Sequence, residues 1–201
     1  MKKKIILVGA GGHCASCVDV IEKENKYQIY GLVDEKKDSS LTKYKLIGND
    51  ADLKKIKKKT NNALITIGQI KDLLLREKVF QKLIKLKFNL PVIVAPSSYV
   101  SESSFIDKGT IIMQGAIVNS NVKIGKNCII NTGSIIEHNV VIGNNCHIST
   151  GCIINGGTII NDNTFIGSGS VIKQHVKIGA RCFVNAKKFI DKNLKDNSKL
   201  L

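Results

Sequence analysis

Residues 124–160 read IGKNCI INTGSI IEHNVV IGNNCH ISTGCI INGGTI I, so an isoleucine opens every group of six. The ladder runs on in both directions without an exception, from Val100 and Ile106 to Val184 and Ile190. A helix repeats its apolar face near every 3.6 residues and a flat strand every second one, whereas six residues fit one short strand plus one corner. Three such sides close a coil of eighteen residues with the aliphatic side chains stacked inside and successive coils ~4.8 Å apart. The ladder therefore predicts a parallel β-solenoid of about five coils. Four residues after each ladder position stands a mostly small side chain, among them Ala116, Cys128, Ser134, Cys146, Cys152, Thr158 and Cys182. Four of the six cysteines thus read as packing residues. Directly after ladder positions come Gly125, Asn131, Gly143, Asn155, Asn161, Gly167 and Gly179. These residue types tolerate positive φ, and the tight corners are expected there.

The first half has another grammar. Lys4 to Val8 reads as a strand, followed by Gly9-Ala10-Gly11-Gly12-His13 and a helix from Cys14 to about Glu24. Tyr27 to Val33 is a second strand ending at Asp34-Glu35, and Ala63 to Ile67 a third ending at Gly68. A helix with Leu73, Leu74, Val79, Phe80, Leu83 and Ile84 on its apolar face follows, then Pro91 to Val94. This alternation implies a small parallel α/β sheet of Rossmann-like type over 1–96, ahead of the solenoid over 97–201. Ligands of such sheets sit at the carboxyl ends of the strands, where the glycine turn, Asp34 and Gly68 fall. The third glycine of a dinucleotide fingerprint is replaced by Cys14, which disfavours a nicotinamide cofactor. Bare amides at the helix start still suit a phosphate or a uracil edge.

Composition narrows the partners. With 201 residues, 43% hydrophobic and 23% charged, the chain has enough apolar material for one or two cores. The formal net charge of +15 invites a nucleic-acid reading, but all but two of the 31 basic residues are lysines and aromatics are only 5%. Base-edge readout favours arginine, and single-strand binding needs aromatic platforms, so the charge points instead to an anionic small molecule. The longest early apolar stretch, Ile5 to Ala10, is far too short for a membrane span or a signal segment, so the protein is expected in the cytoplasm. Cys14 and Cys17 beside His13 lack a second cysteine pair to complete a zinc site and read as helix packing; no metal is expected.

The two halves together resemble a narrower family, the hexapeptide-repeat sugar acetyltransferases of the sialic-acid and UDP-N-acetylbacillosamine pathways. The resemblance runs over nearly the whole chain: Gly9 to His13, Val33-Asp34-Glu35, Ile67-Gly68 with Arg76 downstream, Asn131 to His138, His147-Ile148-Ser149 and Asn155-Gly156-Gly157. It implies a left-handed β-helix, which the period alone would not give, and a trimer with acetyl-CoA in a groove between subunits. It also implies His138 as catalytic base, His147 as a contact of acetyl-CoA, and CoA running past Ser168 and Ala186. The nucleotide sugar would be held by Gly11, Gly12, His13, Asp34, Glu35 and Gly68.

The chemistry agrees with those residue types. Acyl transfer from a thioester requires the amine or hydroxyl acceptor to lose a proton, and imidazole suits that task. Gly156 stands eighteen residues after His138, one coil on at the same corner, where its amide can meet the oxyanion and border the bound thioester. Glu137 is expected to orient the His138 ring. His147, next to a ladder position, is expected to point outward and donate to the thioester carbonyl or touch the pantetheine arm. His175 has no motif. Two departures stand out: Asn139 follows His138 where many relatives carry an acid, and residues 191–201 lack the usual proline-containing ending and are expected to be disordered. The resemblance, with these residue types, implies an acetyl-CoA-dependent N-acetyltransferase of a UDP-linked 4-amino-dideoxy sugar, for surface glycan or glycoprotein synthesis. O-acetylation of a sialic-acid-type sugar and a non-catalytic solenoid binding module are the alternatives.

Overall fold

In the computed structural model, which describes residues 2–35, 43–69 and 74–201, the first half is a small parallel sheet. Its elements are β1 (Lys3–Val8), α1 (Gly12–Glu24), β2 (Tyr27–Val33), β3 (Leu46–Gly48), α2 (Leu53–Ile56), β4 (Asn62–Ile65) and α3 (Leu75–Lys85). The strands lie in the order β3-β2-β1-β4, all parallel, with β3 an edge strand beyond those expected. One side of the sheet packs on Cys14, Cys17, Val18 and Ile21 of α1. The other packs on Leu53 and Ile56 of α2 and on Val79, Phe80 and Leu83 of α3. Leu74, expected on the apolar face of α3, is instead exposed just ahead of it, and Leu73 lies outside the described residues.

From Ile93 onward the chain winds through two-residue strands that stack into three parallel faces of seven, six and five strands. Except in the last coil, each strand pairs with the one eighteen residues away, as in Ile111↔Ile129, Ile135↔Ile153 and Val141↔Ile159. The ladder residues point inward and from Ile112 to Ile190 are buried, with Val100 and Ile106 partly so, and Cys128, Cys146, Cys152 and Cys182 fill the small positions between them. Each fully buried aliphatic contributes roughly 1.5–3 kcal/mol, so the column itself holds the coils together.

Three expectations need correction. The solenoid is longer than about five coils, because Ile93–Val94, expected as a further strand of the first sheet, pairs with Ile111–Ile112 and forms its first rung. The final residues are ordered: Leu194 bridges to Ile178, and Lys199–Leu200 pairs with Phe183–Val184. That last coil is two residues short, so Leu194 and Leu200 fall off the strict period of six while still packing on the core. The left-handed residues stand three places after the ladder rather than one, at Asn121, Asn127, Gly133, Asn139, Asn145, Gly151 and Gly157 and onward. Gly125, Gly143, Gly167 and Gly179 serve a different need, because a Cβ there would run into the next coil; at Gly143 it would sit 2.8 Å from the backbone nitrogen of Asp162.

The two halves share one core. The outward side chains Ile93, Ile111 and Ile129 of the seven-stranded face pack in a single cluster with α1. Gln114 Nε2 donates to Asp19 at 2.9 Å, and Arg76 and Gln69 reach the solenoid from the other side of the joint. An interface this apolar fixes the first half against the solenoid rather than letting it swing. We call this the docked face. The six-stranded face carries Tyr99, Ile117, Ile135, Ile153, Val171 and Phe189 outward, with Tyr99 59% and Phe189 66% exposed. Among the described residues no helix is long and apolar enough to cross a membrane.

Candidate active site

The chain passes from the docked face to the apolar face at residues 131–134, on to the five-stranded face at 137–140, and back to the docked face at 143–146. His138 therefore stands on the edge opposite the docked face. It is exposed, and Gly156 lies beside it one coil on, tied by the Gly157 amide donating to the His138 carbonyl at 3.0 Å. A Cβ on Gly156 would sit 2.6 Å from Cε1 and 2.7 Å from Nε2 of that ring. Only glycine leaves room for the imidazole there, and Gly156 itself is buried beneath the ring. His175 occupies the matching position one step further: a Cβ on Gly157 would lie 2.4 Å from its Nδ1. The Gly156–Gly157 corner is thus bracketed by two imidazoles, one of which the sequence left without a role.

Glu137 does not turn toward His138. Its carboxylate accepts a hydrogen bond from Asn119 Nδ2 at 3.0 Å, one coil back, because side chains at that position stack along the solenoid axis. The residue that does touch the ring is Asn139, whose Nδ2 lies 3.0 Å from His138 Nδ1. Ser168 and Ala186 share the corner between the docked and apolar faces, both exposed, with Ser168 Oγ 2.8 Å from Ser149 Oγ. Within one chain, then, His138 with Gly156 and Ser168 with Ala186 flank the apolar face along opposite edges.

His147 departs most from its expected place. It points outward from the solenoid but into the joint, where it is 4% exposed and packs edge-on against Phe165 with ring centroids 5.2 Å apart. Its Nδ1 donates to the Gln69 carbonyl at 2.9 Å, and its Nε2 accepts from Asn131 Nδ2 at 3.2 Å. A carbonyl can only accept, so the single proton of the neutral ring is on Nδ1 and none is left for a thioester carbonyl. Burial, aided by the charge of Arg76, pushes the His147 pKa down to about 4 although the bond to Gln69 opposes this. His13, half-buried in the first turn of α1, is pushed down to about 3 by burial first and then by Arg76 and His147.

Arg76 links these groups. It is fully buried, donating from Nη1 to the Ile65 and Ile67 carbonyls at 2.7 and 3.0 Å and from Nε to the Asn127 carbonyl at 3.2 Å. It therefore straps the end of β4 to a solenoid corner, and among the described residues no carboxylate pairs with it. Sequence reasoning noted Arg76 only as part of a motif. The available signal was that it is one of two arginines among 31 basic residues, and arginine is the cation that tolerates burial.

The glycine turn sits at the carboxyl edge of the sheet. Gly9, at φ +110°, donates to the Val33 carbonyl, and a Cβ on it would meet the Ile67 backbone at 2.8 Å. Asp34 accepts from the Ala10 amide at 2.6 Å and so braces the turn, whereas Glu35 is turned away to accept from the Asp50 amide at 3.2 Å. Gly11 and Gly12 face open space, and Gly68 lies across from His13, whose Cβ would be 3.8 Å from a Cβ added at Gly68. α1 begins with no side-chain cap and no acidic residue in its first turn, which leaves a positive helix end facing outward. Among the described residues no three His, Cys, Asp or Glu side chains come together as a metal cluster.

Comparison with known proteins agrees with this architecture. Residues 4–83 match the PglD N-terminal domain, and residues 121–156 and 157–192 match the bacterial transferase hexapeptide repeats. No curated protein sequence matches significantly. Among solved structures, PerB from Caulobacter crescentus in complex with CoA and GDP-perosamine is 27% identical with a TM-score of 0.90, covering 96% of this chain and 91% of that one. A variant of the perosamine N-acetyltransferase of that organism, with a histidine changed to asparagine and also bound to CoA and GDP-perosamine, is 25% identical with a TM-score of 0.91, covering 98% and 92%. The acetyltransferase domain of PglB from Neisseria gonorrhoeae, bound to acetyl coenzyme A, shares the fold at 24% identity and a TM-score of 0.92, covering 99% and 96%. The fold is that of the left-handed β-helix acyltransferases built on hexapeptide repeats. With a PglD-type first domain ahead of these repeats, the chain is a hexapeptide-repeat sugar acetyltransferase.

Proposed function

We propose that the protein transfers the acetyl group of acetyl-CoA to the amine of a UDP-linked 4-amino-dideoxy sugar in the cytoplasm, for surface glycan or glycoprotein synthesis. The observation that carries this reading is the imidazole of His138 lying directly over Gly156, where any Cβ would collide with the ring. His138 takes a proton from the acceptor amine as its nitrogen attacks the thioester carbon. The Gly156 N–H receives the negative charge that develops on the thioester oxygen, and the glycine leaves space for the acetyl group beside it. The imidazolium then returns its proton to the departing CoA thiolate, so the ring ends neutral. The relatives with CoA and GDP-perosamine support an amine acceptor on a nucleotide-linked sugar.

In this reading labour divides near residue 96. Gly11, Gly12, His13 and Gly68 hold the nucleotide sugar against the open end of α1, with Asp34 bracing the turn and Glu35 at its rim. Because that turn lies on the docked side and His138 on the opposite edge, the acceptor held by one copy is served by His138 of a neighbour. The apolar face between the His138 corner and the corner of Ser168 and Ala186 is the surface on which a homotrimer closes and along which the pantetheine arm runs.

The test is a panel of UDP-linked 4-amino-dideoxy sugars, GDP-perosamine and free nonulosonic acids, scored by thiol release from acetyl-CoA. Turnover is expected with the amino sugars. Turnover only with the nonulosonic acids would make the protein an O-acetyltransferase, and turnover with none would leave a binding module.

A further inference from the structure

We infer that Asn139 is a positioning residue for His138, fixing with a neutral amide the tautomer and orientation that an adjacent carboxylate would otherwise impose; the inference rests on His138 being the base. Three observations lead to it. Asn139 occupies a left-handed corner at φ +59°, a conformation that Gly, Asn and Asp accept and most residues do not. Of those three, only Asn and Asp carry a side chain able to reach a neighbouring ring. The amide does so, with Nδ2 3.0 Å from Nδ1. Glu137, the other candidate, spends its carboxylate on Asn119.

The contact is particular to this corner. Two other corner asparagines bond along the stack, Asn127 to Asn145 and Asn197 to Arg181, and Asn127 also donates to the Arg76 carbonyl at 3.4 Å; none of these contacts reaches a ring. Above Asn139 stands Gly157, which offers no side chain, and the amide turns sideways to the imidazole instead.

A half-turn of the amide exchanges Nδ2 for Oδ1 at the same distance, and the two orientations are sterically equivalent. With Oδ1 toward the ring, Nδ1–H donates to it and the lone pair falls on Nε2. The Nε2–Cε1 edge is the one over Gly156, 2.7 and 2.6 Å from the place a Cβ would occupy, whereas Nδ1 is 3.2 Å away. In that orientation the amide holds the rear of the exposed ring while the basic nitrogen lies along the Gly156 backbone. After proton uptake the same Oδ1 still accepts from Nδ1–H, so the orientation survives the step.

The experiment compares the full-length protein with Asn139→Gly, which keeps the left-handed backbone and deletes the amide, and Asn139→Asp, which keeps an acceptor. Imidazole 15N NMR reads the tautomer, with the His138 signals assigned by their loss in His138→Ala. Thiol release with GDP-perosamine and a UDP-linked 4-amino-dideoxy sugar gives kcat and the KM for acetyl-CoA. The expected result is an Nδ1–H tautomer in the parent, a shift toward Nε2–H in Asn139→Gly, and a kcat lower by roughly tenfold or more with KM little changed. Asn139→Asp should restore both the tautomer and most of the rate. Loss of activity in His138→Ala together with a parental tautomer and rate in Asn139→Gly overturns the role of Asn139 alone. Undiminished turnover by His138→Ala overturns the base assignment and this role with it.

Discussion

His138 and His147 stand nine residues apart in adjoining repeats, and the solenoid gives them opposite surroundings. Nine residues are half a coil, so one imidazole lands on an outer corner and the other on the face covered by the first domain. At the corner the ring is exposed, touches one amide and lies over a glycine with no side chain. On the docked face the ring is buried, has both nitrogens engaged, and is kept neutral down to about pH 4. Solvation and hydrogen bonding, rather than residue type, separate an exposed ring on the corner from one that serves as a neutral joint.

The contrast can be broken most directly at the corner. His138→Ala should lower kcat by about 100- to 10,000-fold, the usual contribution of a general base, with the melting temperature unchanged. A smaller loss is expected from Gly156→Ala, whose Cβ would stand 2.6 Å from the ring and push it off the corner. Roughly tenfold or more should vanish from kcat there, while circular dichroism reports an intact solenoid because an exposed ring can swing away.

On the docked face the expected effects are on stability. An unfolded chain protonates its histidines near pH 6.5, but the folded chain refuses those protons at His147 until about 4 and at His13 until about 3. Stability is therefore full above about pH 6.5 and is lost as the pH falls toward 4, with His147 contributing roughly 3 kcal/mol of that loss. Urea unfolding at a series of pH values should show this slope, and His147→Gln should flatten it; an unchanged slope would remove His147 from the joint. The mildest effect separates their partners. Asn131→Ala, which strands a buried His147 Nε2, should cost about 1 kcal/mol, whereas Asn119→Ala at the solvated corner should cost less than about 0.5 kcal/mol in the same assay.

The register of His138 with Gly156 was legible because a strict period of six leaves no freedom: eighteen residues return the chain to the same corner. The ends of the solenoid were not, for local reasons. Ile93–Val94 follows a helix and so read as part of the first sheet, although Val94 continues the ladder by one step. Leu194 and Leu200 belong to a shortened turn that a fixed period skips. The left-handed corner positions depend on how the backbone turns between faces, which composition alone could not assign; asparagine and glycine occur at both candidate places. The burial of His147 was hidden because outward apolar residues mark the docked face, as Ile111 and Ile129, and the open face, as Ile117 and Ile135, alike. Which of the two the first domain covers is decided by long-range packing around α1 and by the strap of Arg76.

If the substrate-holding turn of one copy works with the corner of another, two damaged chains can repair each other. The measurement is acetyl transfer by mixed assemblies of His138→Ala with Gly11→Trp, which fills the open turn, formed by co-expression and verified by native mass spectrometry. Each variant alone should be inactive, and the random mixture should recover activity in about a quarter of its sites, the fraction that pairs an intact corner with an intact turn. Mixed assemblies as inactive as their parents would contradict the account.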